Sequence, residues 1–419
     1  MELHEGKFGV RETFGPAVYS KILGLFDEVL PGTALYVTSS ALILFGALAS
    51  LTDLRGRATW SATALAAVLV LSPTLLLYQG IVWKDVLFGN LTVAAFVLLA
   101  HAELARGDPA RRWATLVAAG VALAVAMSVR QNGLILVLAA AAAVGWQERS
   151  KGWAAGLAWG GVSLVAVVAL AQTLNVLAQP VRAGPDKAFE SGLRIVQHYD
   201  IVGILAHAPE ARLAVVARTR PEAARVIETE GRRVYSSERI DSFDQSPQLA
   251  PALWKTSKED MRAQWLELVS NHSGAYFAHR WEAFVWVLIN PQLERCVPIH
   301  VGVDGPASHL VALGIPAGQS RANVAIANYA TWWYVTPFYS HLALAAAALI
   351  VAGFLVFRRE GADMVIAALM LGALAFAGSF FLISIACDYR YLYALDLAAV
   401  AGLLYLALDP PVVRFARGP

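Results

Sequence analysis

Charge is scarce in this sequence. Asp, Glu, Lys and Arg together make up 15% of its 419 residues, against roughly 25% in soluble domains. Hydrophobic residues make up 58%, and the mean hydropathy is +0.55. No soluble core buries so many apolar side chains, so the chain reads as an integral membrane protein. Cysteine is nearly missing too. Cys296 and Cys387 are the whole supply, which excludes a disulfide-built scaffold and a cysteine-based metal centre. The net charge of +2 gives no basic surplus, and nucleic acid is not a partner the composition suggests. Internal repeats and low-complexity linkers are also lacking. Arg outnumbers Lys, and Ala, Leu and Val dominate, as GC-rich bacterial coding would produce.

What is abundant is apolar runs. Nine have the length and composition of spanning helices: 33–51, 59–79, 86–105, 113–129, 133–147, 153–175, 338–357, 363–385 and 390–408. The fold class they predict is an all-α polytopic membrane protein of about nine transmembrane helices. Alternate short loops carry Arg55 and Arg57, Arg106, Arg111 and Arg112, Arg149 and Lys151, and Arg358 and Arg359. Arg414 and Arg417 follow the last run, and the other set of loops is almost free of such residues. Positive charge marks the cytoplasmic side. The predicted organisation is an extracytoplasmic N-terminal segment over 1–32 and six transmembrane helices over 33–175. A mostly helical extracytoplasmic domain over 176–337 follows, then three more transmembrane helices over 338–408 and a cytoplasmic tail over 409–419.

The outward N-terminus lacks a signal-peptide pattern, so two expectations stand: an upstream spanning helix precedes it, or the 33–51 helix itself translocates the short tail. Within it, "PAVYSKILGLFDEVL" has apolar residues at helical spacing and predicts a helix lying in the membrane interface. "NYATWWYVTPFY", with Trp332 and Trp333, has the aromatics of an interface anchor.

The loops poor in positive charge are not empty of it. Lys84 and Asp85 lie in the first, Arg130, Gln131 and Asn132 in the second, and Asp388 and Arg390 in the third, within "CDYRYLY". Ionisable groups at membrane depth are costly and are often functional or paired. Three cations on one face suit an anionic ligand such as a lipid phosphate or diphosphate, which Arg binds bidentately and Lys as a point charge. A structural reading stands beside this one. Lys84 would pair with Asp85 or Asp388, Arg390 with Asp388, and Arg130 would cap a helix end. On the same face, Glu12 in "RETFGP" is a carboxylate able to serve as general base toward an acceptor hydroxyl.

Several short stretches, in order, resemble bacterial GT-C class glycosyltransferases, polytopic enzymes that use polyprenyl-phosphate sugars. "ETFGPAVYSKILGLFDEVLPG" has the shape of a first outer segment with an Asp-Trp-His-Pro-Pro-like motif. Glu12 stands in the Asp slot, Phe14 in the His slot and Pro16 in the second Pro slot. "SPTLLLYQGIVWKDVLF", "SVRQNGLILVL", "RIVQHYDIVGIL" and "DYRYLYAL" are similar to further stretches of the group, with Ala394 in a Pro position. The resemblance runs from about residue 10 to 408. Glu for Asp and Phe for His are its departures.

The resemblance implies transfer of a sugar from a polyprenyl-phosphate donor, with inversion, to a glycan, lipid or protein acceptor at the outer membrane face. Glu12 is the expected base. Asp85 is a second catalytic candidate that would orient Lys84 or take part in metal binding. Lys84, Arg130 and Arg390 are the expected phosphate ligands. Asn132, His198, Asp200, Asp388 and Tyr391 are expected substrate contacts, with a helix-end hydrogen bond as the other reading for His198 and Asp200. The residues specify no cofactor, and the resemblance leaves a divalent metal, Mg or Mn, as the candidate. Asp396 lies inside the last run and would face a polar cavity or pair with a neighbouring helix. Cys296 and Cys387 both fall on the outer side, where a disulfide between them is chemically allowed. Rival readings are an O-antigen ligase or polymerase, a flippase and a non-catalytic binder of lipid-linked saccharide. A transporter would call for inverted repeats and mid-membrane helix breaks, whereas here the polar residues gather at one face.

Overall fold

A computed structural model describes residues 16–55, 59–178, 187–305, 307–313 and 316–409. Among the described residues the regular structure is helical, and β pairing is limited to isolated bridges, Arg239 to Ala386 and Val303 to Gly318. The described helices include seven long and apolar enough to cross a membrane: Ala34–Leu54, Lys84–Gly107, Pro109–Val129, Trp153–Ala178, His341–Arg358, Gly361–Ile383 and Tyr389–Leu408. The chain is an all-α polytopic membrane protein.

The predicted runs 59–79 and 133–147 differ from simple spans. The first is a broken pair, Trp60–Leu71 and Pro73–Gly80, bent by 64°. Proline has no amide hydrogen and its ring excludes the preceding turn's carbonyl, so the helix stops before Pro73. Ser72 takes extended dihedrals at the break, and its hydroxyl donates to the Leu69 carbonyl at 2.6 Å. The second is Leu134–Glu148, a helix of 15 residues that rises about 22 Å, against about 30 Å of hydrocarbon.

The chain folds as two compact units. One comprises Met1–Ala183, Ile299–Ala377 and Leu392–Pro419, and the other Gly184–Pro298 and Gly378–Tyr391. The second is smaller than the predicted 176–337 domain at both ends and gains residues 378–391. The aromatic stretch near 330 goes with the membrane unit, where the Tyr329 hydroxyl donates to the Leu71 carbonyl.

In the membrane unit, Lys84–Leu104 is buried almost throughout. The Tyr393–Leu408 helix packs on it where Gly89 removes a side chain, since a Cβ there would lie 3.0 Å from Leu397 Cδ1. Leu134–Glu148 and Trp153–Ala178 cross through glycines. A Cβ on Gly156 would lie 2.6 Å from the Gly145 carbonyl oxygen, and one on Gly160 2.9 Å from that of Ala141. Small residues let membrane helices approach to backbone contact, where dispersion and weak polar contacts replace the hydrophobic effect.

Charges at one end of these helices are paired. Arg358 binds Asp363 through two 2.5 Å contacts and Asp409 at 3.4 Å, while the Tyr405 hydroxyl donates to Asp363 at 2.9 Å. Arg112 pairs with Glu148, and Arg106 with Glu103 at 2.8 Å. These are residues of the basic loop set, or acids beside it.

The second unit surrounds an apolar core from Lys187–His207, Pro221–Val234, Lys258–Asn271 and Ser273–Leu288, with Tyr199, Ile204, Ile227, Met261 and Leu268 among its buried members. Pro221–Val234 shows why it folds. Ala224, Ile227, Gly231 and Val234 recur three or four residues apart and are the face it buries. Cys296 and Cys387 form a disulfide across 91 residues of sequence.

Candidate functional site

Asp85 lies in the first turn of Lys84–Leu104, where a helix N-terminus favours an anion. Arg130 is the C-cap of Pro109–Val129. These helices are antiparallel neighbours joined by a tight turn, so the start of one lies level with the end of the next. Asp85 and Arg130 meet there in an ion pair, with side chains 3% and 10% exposed. The Arg130 guanidinium also lies 5.5 Å from the centre of the Phe376 ring. Lys84 and Asn132, both half-buried, flank the pair in the chain. Of the predicted residues, Asp85 and Arg130 meet from two separate turns. Arg130 caps a helix end, as the structural reading of that loop expects, and its bridge to Asp85 is a pairing that reading does not name.

Beside this pair runs an aromatic and amide network that the residue pattern did not single out. Trp83 meets Tyr78 edge-on with centroids 5.6 Å apart, and Tyr78 stacks on Tyr393 at 4.8 Å. Gln79 donates to the Tyr393 hydroxyl at 2.9 Å and exchanges hydrogen bonds with Asn90, which donates to Ser40 at 2.9 Å. Asp396 takes a 2.8 Å contact from His341, both fully buried. The pairing alternative therefore describes Asp396. The available signal was polarity itself, because Gln79, Asn90 and His341 interrupt or begin apolar runs.

Asp388, Arg390 and Tyr391 belong to the second unit. Arg390 pairs with Asp388 at 2.8 Å, as the structural reading of that loop expects, and lies 5.9 Å from the Tyr391 ring centre. Tyr391 stacks on Phe380 with centroids 5.4 Å apart. The four residues before Asp388 are each attached to the rest of this unit. Arg280 donates to the Ser384 carbonyl at 2.7 Å, and the Ile240 amide donates to that of Ile385 at 2.8 Å. Ala386 bridges Arg239, and Cys387 is bonded to Cys296.

His198 and Asp200 lie in the interior of the second unit. Arg194, one turn earlier in the same helix, directs its Nε at His198 Nε2 at 3.3 Å. Burial, and then the Arg194 charge, push the His198 pKa down to about 3. His198 is therefore neutral and faces Trp254 edge-on at 5.0 Å. Asp200 receives Arg280 Nε at 2.6 Å, Trp265 Nε1 at 2.8 Å and His279 Nε2 at 3.3 Å. His279 presses on Gly203, where a Cβ would collide with its ring. Its other nitrogen meets the Tyr235 hydroxyl at 2.8 Å, and burial lowers its pKa. The structure places Asp200 as the counter-ion that orients Arg280 toward Ser384. Asp200 is an expected substrate contact; in the structure it is fully buried among Arg280, Trp265 and His279.

Glu12, the expected base, lies outside the described residues, as do residues 410–419 of the predicted tail. No group of three or more His, Cys, Asp or Glu that could hold a metal ion occurs among the described residues. Asp85, the described acid proposed for that role, faces a guanidinium, which is the wrong neighbour for a second cation.

No family model matches the chain, and no curated protein matches it. The solved structure of the archaeal oligosaccharyltransferase AglB from Archaeoglobus fulgidus, in complex with an inhibitory peptide and a dolichol-phosphate, is similar over 99% of this chain and 46% of that one. The TM-score is 0.39 and the sequence identity 13%. The chain thus spans less than half the length of that protein.

Proposed function

We propose that this chain is an integral membrane glycosyltransferase of the GT-C kind. It would move a sugar from a polyprenyl-phosphate donor to a glycan, lipid or protein acceptor in cell-envelope synthesis. The proposed setting is the extracytoplasmic face of a bacterial cytoplasmic membrane, with the C-terminus inside. The observation that carries the reading is the Asp85–Arg130 ion pair at one end of the spanning helices, with Lys84 and Asn132 beside it in the chain. A buried guanidinium held by a carboxylate, beside a lysine and a helix N-terminus, is a setting for a phosphate. The Cys296–Cys387 bond supports placing the second unit on an oxidising, extracytoplasmic side.

In the reaction, the acceptor hydroxyl oxygen attacks the anomeric carbon on the face opposite the lipid phosphate. The bond from that carbon to the phosphate oxygen breaks, and its electron pair leaves with the phosphate. The hydroxyl proton passes to a carboxylate, for which Glu12 is the proposed acceptor. The configuration inverts. Lys84, Arg130 and Arg390 would stabilise charge developing on the departing phosphate. Asp85 positions Arg130, since a guanidinium with five donors can bind a carboxylate and face a phosphate together.

The test is transfer from labelled polyprenyl-phosphate sugars to endogenous acceptors by the purified protein returned to bilayers. Lys84→Ala and Arg390→Ala should each lower turnover strongly while the protein elutes as a folded particle. Wild-type turnover in both variants would sink the phosphate assignment. Donor binding without transfer in the unmodified chain would leave a non-catalytic binder.

A further inference from the structure

The second unit exposes an apolar stripe that its own fold does not use. Ser273–Leu288 buries Tyr276, His279, Arg280, Ala283 and Val287. On the adjoining face, Phe277, Trp281, Phe284 and Leu288 recur at helical spacing. Phe277 is 55% exposed and Trp281 60% exposed. A soluble helix would place polar groups on that face.

What the stripe adjoins identifies its occupant. Phe277 stacks on Phe381 with centroids 6.4 Å apart, and Phe284 meets the same ring edge-on at 6.0 Å. Phe381 lies in the last turn of Gly361–Ile383, one of the membrane-crossing helices. Its chain neighbours Leu382 and Ile383 are 53% and 41% exposed. A helix of 23 residues rises about 35 Å, so its final turn reaches the boundary of a hydrocarbon layer about 30 Å thick. The stripe therefore continues the exposed apolar surface at the end of a membrane-crossing helix. Its one exposed aromatic with a polar edge, Trp281, is of the residue type that gathers at the headgroup level.

We infer that the Phe277–Trp281 face of Ser273–Leu288 docks into the acyl–headgroup boundary of the bilayer leaflet reached by the end of Gly361–Ile383. The occupant is lipid. A single exposed hydrophobe would need no such partner, but a contiguous apolar stripe does.

Because both native cysteines are bonded to each other, one introduced cysteine is a unique labelling site. Phe277→Cys and Trp281→Cys, carrying a nitroxide and placed in nanodiscs, are compared with Glu222→Cys, an exposed polar position of the same unit. Collision with oxygen, relative to a water-soluble nickel chelate, should be several-fold higher at 277 and 281 than at 222. Equal ratios at all three positions would mean the stripe faces water and would overturn the inference. Protection of 277 and 281 from both reagents would mean a protein covers it, a second copy included, and would equally overturn it. The reading uses two independent positions, so failure of one variant to fold leaves the other decisive.

Discussion

Asp85 and Arg130 stand 45 positions apart in the chain and meet in a buried ion pair between two adjacent turns of the membrane unit. Removing one partner of such a pair strands a charge in a low-dielectric site, which typically costs about 3–5 kcal/mol. Arg130→Ala and Asp85→Asn should therefore each lower the unfolding midpoint markedly in detergent. Arg130→Lys keeps the charge but loses the planar fork. It should recover much of the stability and little of the proposed transfer. Thermal unfolding read beside turnover separates the two effects, and full turnover in the Arg130→Lys variant would assign the pair to structure alone.

The disulfide closes a long loop, and removing a bond of this kind typically costs about 2–5 kcal/mol. Cys387→Ser should destabilise the second unit and loosen the segment that carries Asp388, Arg390 and Tyr391. Mass-tagged maleimide should add nothing to the unreduced denatured protein and two tags after reduction. Labelling without reductant would remove the bond from the account.

His198 yields a pH dependence. Its pKa is lowered from 6.5 to about 3 in the folded chain. Between those values the unfolded chain binds a proton that the folded one refuses, so acid favours unfolding. Stability contributed by this residue is intact above about pH 7 and falls as the pH drops from 6.5 toward 3. The lowered His279 adds in the same direction. His198→Gln keeps an acceptor for Arg194 and removes the titration. Its melting temperature should fall less steeply with acid than that of the parent, and parallel curves would contradict the assignment.

The glycine crossing makes a further prediction. Gly156→Ala inserts a methyl group 2.6 Å from the Gly145 carbonyl oxygen, and both atoms sit in helical backbone that cannot yield easily. Overpacking of this kind costs about 1–3 kcal/mol. Gly161, where a Cβ would meet nothing within 4 Å, is the matched control, and Gly161→Ala should melt close to the parent.

Much of this is legible from residue order. Hydropathy finds spanning helices because lipid demands a long, uncharged stretch, and all nine runs are helical. It misjudges two. A proline breaks one run, and the other is too short to span alone, which window averages blur. Residue order marks both Asp85 and Arg130, yet not their pairing. The pairing is nonetheless within reach, because two 21-residue helices folded back through a short turn must bring Lys84–Asp85 level with Arg130. His341 and Asp396 lie on helices far apart in sequence, and no local rule fixes which helices become neighbours. For His198 a helix-end hydrogen bond is one sequence reading, but the actual partner is Arg194 in its own helix. The burial of Asp200 depends on the whole packing of the second unit. With only two cysteines in the chain, their joining is a single alternative and needs only proximity.

The 15-residue Leu134–Glu148 helix has a consequence for the surrounding lipid. Part of it, including Leu134 and Leu138, lies exposed along the protein's flank. Where it faces the bilayer, about 8 Å of acyl chain has no apolar wall to match it. The membrane must pinch there, at a cost of fractions of a kcal/mol for each ångström. Bilayers of shorter acyl chains relieve that deformation, so the protein should partition toward thin membranes.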